Sequence, residues 1–567
     1  MSPVRTTGQN NEHVRSVCGN NPIKGDCMNW FQSFVKRWRD RVQKVSANTG
    51  VGRQFKDIFE LGVPAFREFY YYGVFIWKFL WKGFYKPWHI IPAPTVANAK
   101  ATRNMYRLDA AKAICAEMAG LVWGDDCEIN VSIKGREATE TDDPLNVFVQ
   151  KVLSDNAFHT KMQESIEEGV ALGGNALKTW CESRHDADGN EIPDTRKLMI
   201  GYAMADQFVP LSWDNAKVTE GVFISREAKN GFYYTRLEWH RWNGLTYTVT
   251  NELYRSEIQK GKNPGESQDI LGMRYPLHEI YPNLEEETEI PVSESLFVYW
   301  RTPIANNLDD NSPLGMSIYG NSLDTLHALD ICYDSFVREF RLGKKRIIVP
   351  ASAVRYVTDP MTGLQHRYFD ANDETYEALA SDDPGDLKIT DNSVSLRVEE
   401  HIAAINAFLS ILCLQTGFSA GTFTFDQHEG LKTATEVVSE NSKTYKTIKT
   451  IQKQIRPALE HLVRNIIDVA ILYEMTDENG QSIESLAAPG YEIKVVFDDG
   501  VTQDRQTNIN EGVMLVGAGI LSKYKFLTDP KYGQGLTDEE AKAELARIKE
   551  EGTGGRTDAL AIFGTNE

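Results

Sequence analysis

Cysteine is scarce in this 567-residue chain: the seven residues Cys18, Cys27, Cys115, Cys127, Cys181, Cys332 and Cys413 are scattered, and no two form a C-x-x-C pair. Such spacing writes neither a disulfide framework nor a zinc site, and it points to a reducing compartment. Long apolar runs are missing too. The most membrane-like stretch, FYYYGVFIWKFLW at 69–81, carries Lys78 within it and falls short of the roughly twenty apolar residues a span needs. It reads as an aromatic helix face buried against a neighbour, with a membrane-surface helix as the alternative. The opening MSPVRTTGQNNEHVRSVCGNN has no apolar core, so no signal peptide is expected. Positive charge is also in deficit, with 61 Lys and Arg against 80 Asp and Glu, a net −19. That argues against a protein that grips nucleic acid over its whole surface. The deficit is uneven: residues 1–108 hold 17 basic and 6 acidic side chains, leaving about −30 for the acidic remainder.

Catalytic motifs are lacking as well. No H-E-x-x-H occurs among the dispersed histidines, and the one G-x-S-x-G, GFSAG at 417–421, follows a helical pattern and not the strand that a nucleophile elbow needs. GGNALKT at 173–179 lacks the glycine directly before lysine that a phosphate loop requires, so it reads as a helix end. HDADGNE at 185–191 places its glycine too early for a calcium loop and reads as a hairpin turn. Asp498 and Asp499 follow a strand, as carboxylates of metal-dependent nucleases do, but no His or Glu follows at useful spacing. No cofactor or metal is expected. The acidic run Asp370, Asp373, Glu374, Glu377, Asp382, Asp383 and Asp386 is either a solvated face or a contact surface for a basic partner.

What is present is a sequence of distinct organisations. Residues 1–29 are polar and without period, hence flexible. Aromatic helical segments then end in WKGFYKPWH at 81–89, where Pro87 is expected to close a helix. Leu108 to Trp123 is amphipathic, and one helix is expected over 145–172. Between 125 and 300 the period turns to alternation, and Asn243-Gly244 between aromatic runs signals a hairpin. The fold class is therefore α+β, with an antiparallel sheet.

A helical stripe of Leu323, Leu326, Tyr333, Val337 and Phe340 follows, then a small αβ insertion, then a helix through Ile402, Ile405, Leu409 and Leu412 to Gly417. GTFTFDQHEG then leads into a stripe running from Val438 to Tyr473, about 40 residues or roughly 60 Å of helix. Pro457 lies within it and predicts a kink. Helices of that length belong more often to assemblies than to compact enzymes. A strand at 491–497, a helix near 503–517 and a capping box at Thr537 to Glu540 complete the chain.

Four blocks in this order carry a family resemblance: WKGFYKPWH, LDAAKAICAEMAGLVW, SPLGMSIYGNSLD, and GTFTFD continuing to KTATEVVSENSKTYKT. The chain resembles the portal proteins, or head-tail connectors, of tailed bacteriophages, of the type found in siphophages of Gram-positive hosts. The first 60 residues depart from that pattern by being longer and more basic.

The resemblance implies a multi-domain portal fold: a flexible segment at 1–29, a wing with an antiparallel sheet at 30–312, and stem helices at 313–343 and 398–416. It further implies an αβ clip at 344–397, a tunnel loop at 417–433, a kinked helix of the wing at 434–474, and a mostly helical crown with tail at 475–567. Such proteins form a ring, usually of about twelve subunits, at one capsid vertex. The implied partners are the terminase large subunit, a head-tail adaptor, the major capsid and scaffold proteins, and double-stranded DNA passing without sequence specificity. No membrane is implied. The protein would be assembled in the host cytoplasm and reside in the virion. Phe423, Phe425, Gln427, His428 and Lys432 are the tunnel-loop candidates, and Asp370, Asp373, Glu374, Asp382 and Asp383 the clip contact surface. Another ring-forming connector or baseplate component, or a nuclease using Asp498 and Asp499, are the alternatives.

Overall fold

The structure, a computed structural model, describes residues 68–94, 98–134, 143–185, 191–215, 217–258, 271–309, 312–343, 347–348, 355–358, 363, 365–368, 390–391, 395–424, 442–497, 505–529, 532, 536 and 540–549. It divides into two compact units. The described part of the first holds residues 68–76, 175–299 and 305–314; that of the second holds 77–174, 300–304 and 315–549.

Helix α1 (Glu68–Trp81) is the aromatic stretch, and Tyr70, Tyr71, Val74, Trp77 and Leu80 are all buried in the protein. The chain then turns at Gly83, whose φ of +78° suits glycine. Pro87 does not close a helix as expected: it sits in the first turn of the four-residue α2 (Lys86–His89), where its missing N–H costs nothing. A short hairpin, β1 (Ile90–Pro92) and β2 (Thr102–Asn104), precedes α3 (Ala110–Val122) and β3 (Glu128–Ile133). The single helix expected over 145–172 is two, α4 (Pro144–Asp155) and α5 (Phe158–Leu172), broken where Ala157 takes a left-handed conformation. Asp143 caps α4 by accepting from the Leu145 amide at 3.0 Å and ties it to β3 by accepting from the Ile133 amide at 2.7 Å.

The GGNALKT segment is a glycine helix end running into a strand. Gly173 (φ +96°) ends α5, and its missing Cβ lets the Gly315 carbonyl approach. Strands β4 (Gly174–His185), β5 (Glu191–Met204) and, later, β12 (Phe297–Arg301) form one sheet in the order β12-β4-β5. His185 pairs with Glu191 across the β4–β5 hairpin. The larger sheet runs β6 (Phe208–Asp214), β7 (Lys217–Lys229), β8 (Phe232–Asn243), β9 (Thr246–Glu257) and β10 (Met273–Tyr275), with β11 (Glu287–Ile290) also on β9; every pairing is antiparallel. The expected hairpin is there, but Asn243 pairs with Thr246, so Gly244 (φ +64°) and Leu245 form the turn. Positive φ at the first central residue alone is the II′ pattern, not the I′ turn that Asn-Gly suggests.

A buried polar network joins the two sheets of this first unit. Lys178 on β4 donates to Glu238 on β8 at 2.5 Å, and Arg236 lies 3.0 Å from the same carboxylate. The Leu296 amide donates to the Tyr247 hydroxyl, which donates to His240 Nδ1 at 2.7 Å; Nε2 of that ring then donates to Glu238 at 2.9 Å. Burial pushes the Glu238 carboxyl up, but Lys178, His240 and Arg236 outweigh it and hold it well below the usual range. Burial lowers His240, with the Glu238 bond opposing.

In the second unit follow α6 (Leu323–Leu342), the short strands β13 (Ile347–Ile348), β14 (Arg355–Thr358), β15 (Gln365–Tyr368) and β16 (Thr390–Asp391), and α7 (Val398–Thr416). Strand β13 pairs with β16, and β14 with β15; of the D-P-M-T-G turn signal at 359–363 only Gly363 lies within the described residues. The long helix is α8 (Ser442–Leu472), 31 residues with Pro457 inside it. Its predicted stripe is its buried face, from Ile448 and Ile451 through Ile455, Leu459 and Leu462 to Ile466 and Val469. After α9 (Ile483–Ala487), β17 (Tyr491–Val496) does not stand apart in a C-terminal domain: it pairs antiparallel with β3 along its whole length. Helices α10 (Arg505–Gly517) and α11 (Lys523–Thr528) and a helix over 540–549 follow. The capping box at Thr537 and the Asp498-Asp499 pair lie outside the described residues.

Candidate functional site

Helices α6 and α7 pack together, and their junction lies where the intervening segment leaves and returns. Arg397, just before α7, grips Glu339 near the end of α6 with two hydrogen bonds of 3.1 and 3.0 Å. That contact holds the Glu339 carboxyl below its usual range. Phe336 lies against the His401 ring at 5.6 Å. Gly343 terminates α6, where a Cβ would sit only 2.4 Å from Leu396.

The inward face of α6 departs from the predicted stripe. Leu326 is buried, but the other fully buried positions are Leu329, Asp330 and Asp334, while Phe340 is 46% exposed. The two carboxylates, one turn apart, hold the β1–β2 hairpin and its flanks. Arg103 forks onto Asp334 at 2.7 and 2.6 Å, and the Tyr106 amide donates to it at 3.0 Å. Asp330 accepts from the Leu108 amide at 3.0 Å and from His89 Nε2 at 3.1 Å. His89 Nδ1 accepts from the Tyr85 amide, which fixes that tautomer. Burial raises the Asp334 carboxyl, and Arg103 with the Tyr106 amide bring it below its ordinary value. A hydrophobic stripe search passes over these residues. Their signal is two acids four apart, D-I-C-Y-D, on the same side of an amphipathic helix as Leu326.

The exit from α7 is fastened to the start of α8. Gly417 (φ +87°) ends α7, and the Phe418 amide reaches back to the Cys413 carbonyl at 2.9 Å, the bond of a Schellman cap. Thr447 donates to the Gly417 carbonyl at 2.8 Å, and Thr444 accepts from the Ser419 amide at 2.8 Å. Phe418 is fully buried, with Phe423 half-buried edge-on to it at 5.1 Å. So of the predicted loop, residues 417–419 are a packed anchor. Phe425, Gln427, His428 and Lys432 lie outside the described residues, as do Asp370, Asp373, Glu374, Asp382 and Asp383. Pro457 lies on the exposed side of α8, one residue past Arg456, which donates to the Val495 carbonyl and sits 5.1 Å over the Phe497 ring.

The outer faces of the helix pair are apolar and uncovered. Ile331 and Leu342 on α6 are 46% and 55% exposed, and Ile411 and Leu414 on α7 are 44% and 68%. Among the described residues α7 is the one helix long and apolar enough to cross a membrane by length and composition, and less than a quarter of it is buried in the protein. Among the described residues no group of three His, Cys, Asp or Glu could hold a metal ion.

No curated protein matches the chain. Two solved structures from gene transfer agent (GTA) particles are similar to it: the neck of an empty particle computed with C6 symmetry, and the virion of the native particle. Both are 11% identical over 74% of this chain and 88% of the other, with TM-scores of 0.35 and 0.31. The assignment rests instead on a family model. The model described as "Phage portal protein, SPP1 Gp6-like" matches residues 68–555, most of the chain. The chain is thus a phage portal protein, a head-tail connector of the virion. Within that class it belongs to the SPP1 Gp6-like family.

Proposed function

We propose that this portal subunit assembles into a closed ring, of about twelve copies, at one capsid vertex, and that the ring is the channel through which double-stranded DNA enters and leaves without sequence recognition. The observation that carries the reading is the uncovered apolar face of the α6–α7 pair. A soluble subunit gains by covering such a face, and a cyclic head-to-tail interface covers it on every copy at once. Subunit neighbours, not lipid, are its proposed cover. A net charge of −19 suits passage, because a duplex is repelled from an acidic wall and each gripped phosphate would add friction.

The acidic stretch around Asp370, Asp373, Glu374, Asp382 and Asp383 is proposed as the docking surface of the clip for the terminase large subunit and then the head-tail adaptor. The remaining surface is proposed to meet the major capsid and scaffold proteins during assembly in the host cytoplasm. Residues 425–433 are proposed to extend from the anchor at Gly417 and Ser419 as the tunnel loop. Catalysis of packaging is assigned to the motor partner, and the ring is proposed to be non-enzymatic. Electron microscopy of the purified protein tests this: open rings with a hole of duplex width support it, and a compact monomer that degrades DNA overturns it.

A further inference from the structure

Helix α8 carries a feature that neither its buried stripe nor its proline accounts for. Between Glu440 and Glu460 the sequence holds no Asp or Glu, yet Lys443, Lys446, Lys449, Lys453 and Arg456 recur at steps of three and four. At about 100° per residue, Lys446, Lys449 and Lys453 fall within an arc of about 60°, opposite the face of Ile448, Ile451 and Ile455. All three are exposed.

Some exposed lysines elsewhere in the chain pair with acids, Lys134 with Glu492, Lys151 with Glu478, Lys161 with Glu164 and Lys217 with Glu294, while others such as Lys82, Lys229 and Lys523 stand singly without an ion pair among the described residues; what sets α8 apart is a row of three. Lys446, Lys449 and Lys453 make no ion pair among the described residues. Arg456 extends the row, its guanidinium held by the Val495 carbonyl and the Phe497 ring. The row starts two residues beyond Thr444, the residue that fastens the 417–424 segment to α8.

We infer that Lys446, Lys449 and Lys453 form a contact strip for the sugar-phosphate backbone of double-stranded DNA. From Lys446 to Lys453 the helix rises about 10 Å, the axial span of about three phosphates on one strand of a duplex. The residue types carry no base-reading chemistry: ammonium groups meet phosphate as point charges, without the bidentate geometry that reads a base edge. The contact is therefore sequence-independent and sensitive to salt. Three lysines per subunit in a chain of net −19 give a weak hold, one that guides a duplex and lets it slide. This assignment rests on the reading of the chain as a DNA channel, and it names the residues by which the chain touches the duplex. The competing occupant is an acidic surface of a second copy.

The test uses the full purified chain, a short duplex of arbitrary sequence, and binding measured over a series of salt concentrations. Three proteins are compared: the wild type, K446Q/K449Q/K453Q, and K134Q/K151Q/K161Q, which removes three exposed but paired lysines. The expected result is that the slope of log K against log salt falls by at least about 2.7 in the first variant, the value for three phosphate contacts, and stays at the wild-type value in the second. Equal slopes in all three overturn the inference. So does a K446Q/K449Q/K453Q protein that loses the wild-type oligomeric state with its DNA slope unchanged, which assigns the strip to a subunit contact. The slopes are read on whatever assembly the wild type forms, so a failure to form rings counts against the proposed function and leaves the comparison of slopes intact.

Discussion

Gly417 joins two demands at one residue: a left-handed backbone at the end of α7, and close approach of Thr447, whose Oγ1 would lie 2.7 Å from an added Cβ. Gly417→Ala is expected to cost about 1–2 kcal/mol for the backbone alone, with more from the displaced threonine, read as a lower denaturation midpoint. At the same scale, the Glu238–His240 network gives the first unit a pH dependence with a defined sign. Both groups bind fewer protons folded than unfolded, so both contribute stability that rises with pH. The melting temperature of the first unit is expected to fall as pH drops below about 6.5, and further below about 4.3, the ordinary histidine and glutamate values. His240→Gln should remove the upper limb and keep the lower. Glu238 and His240 share a face of β8 by local alternation, but Lys178 lies on a strand of a different sheet from Glu238, and only the way those sheets pack makes those two partners.

The long helix α8 is the element most legible in the sequence, because a stripe of Ile, Leu and Val at helical spacing has one physical solution, burial along one side. Its proline is the exception to its own pattern. Lacking an N–H at Pro457, the helix leaves the Lys453 carbonyl without its usual donor, and Pro457 lies on the exposed side, where water can serve instead. Pro457→Ala restores that bond. The subunit is expected to fold as well or better, by up to about 3 kcal/mol of local helix stability, while packaging of DNA declines. Unchanged phage yield would count against a mechanical role for Pro457. The α6 stripe is less legible: periodicity predicts an apolar core face, yet Asp330 and Asp334 are buried beside Leu326 and Leu329, because the β1–β2 hairpin and its flanks supply a guanidinium, an imidazole and two amides to satisfy them. Likewise, periodicity alone could not separate α4 from α5, since the break at Ala157 changes backbone conformation without interrupting the apolar pattern.

For the whole molecule, the uncovered faces of α6 and α7 predict dependence on neighbours. Leu414, 68% exposed in the subunit, is expected to tolerate glutamate without loss of folding, because its side chain is already largely in water. In the ring the same charge would be buried. Leu414→Glu is therefore expected to leave a folded monomer, separated by sedimentation or native mass spectrometry from the assembled wild type; rings formed at the wild-type concentration would place the interface elsewhere.

The sequence by itself determined the α+β class, the helical stripes, the hairpin and the family, since these rest on local periodicity, turn chemistry and residue blocks read in order. Only the tertiary structure decided that β17 returns to pair with β3, that aspartates hold the hairpin beside α6, and that three lysines on α8 stand in one exposed row with no ion pair among the described residues. Those outcomes depend on which distant segments meet. Pairing across hundreds of residues is chosen by packing and by the satisfaction of buried polar groups, which no local pattern records.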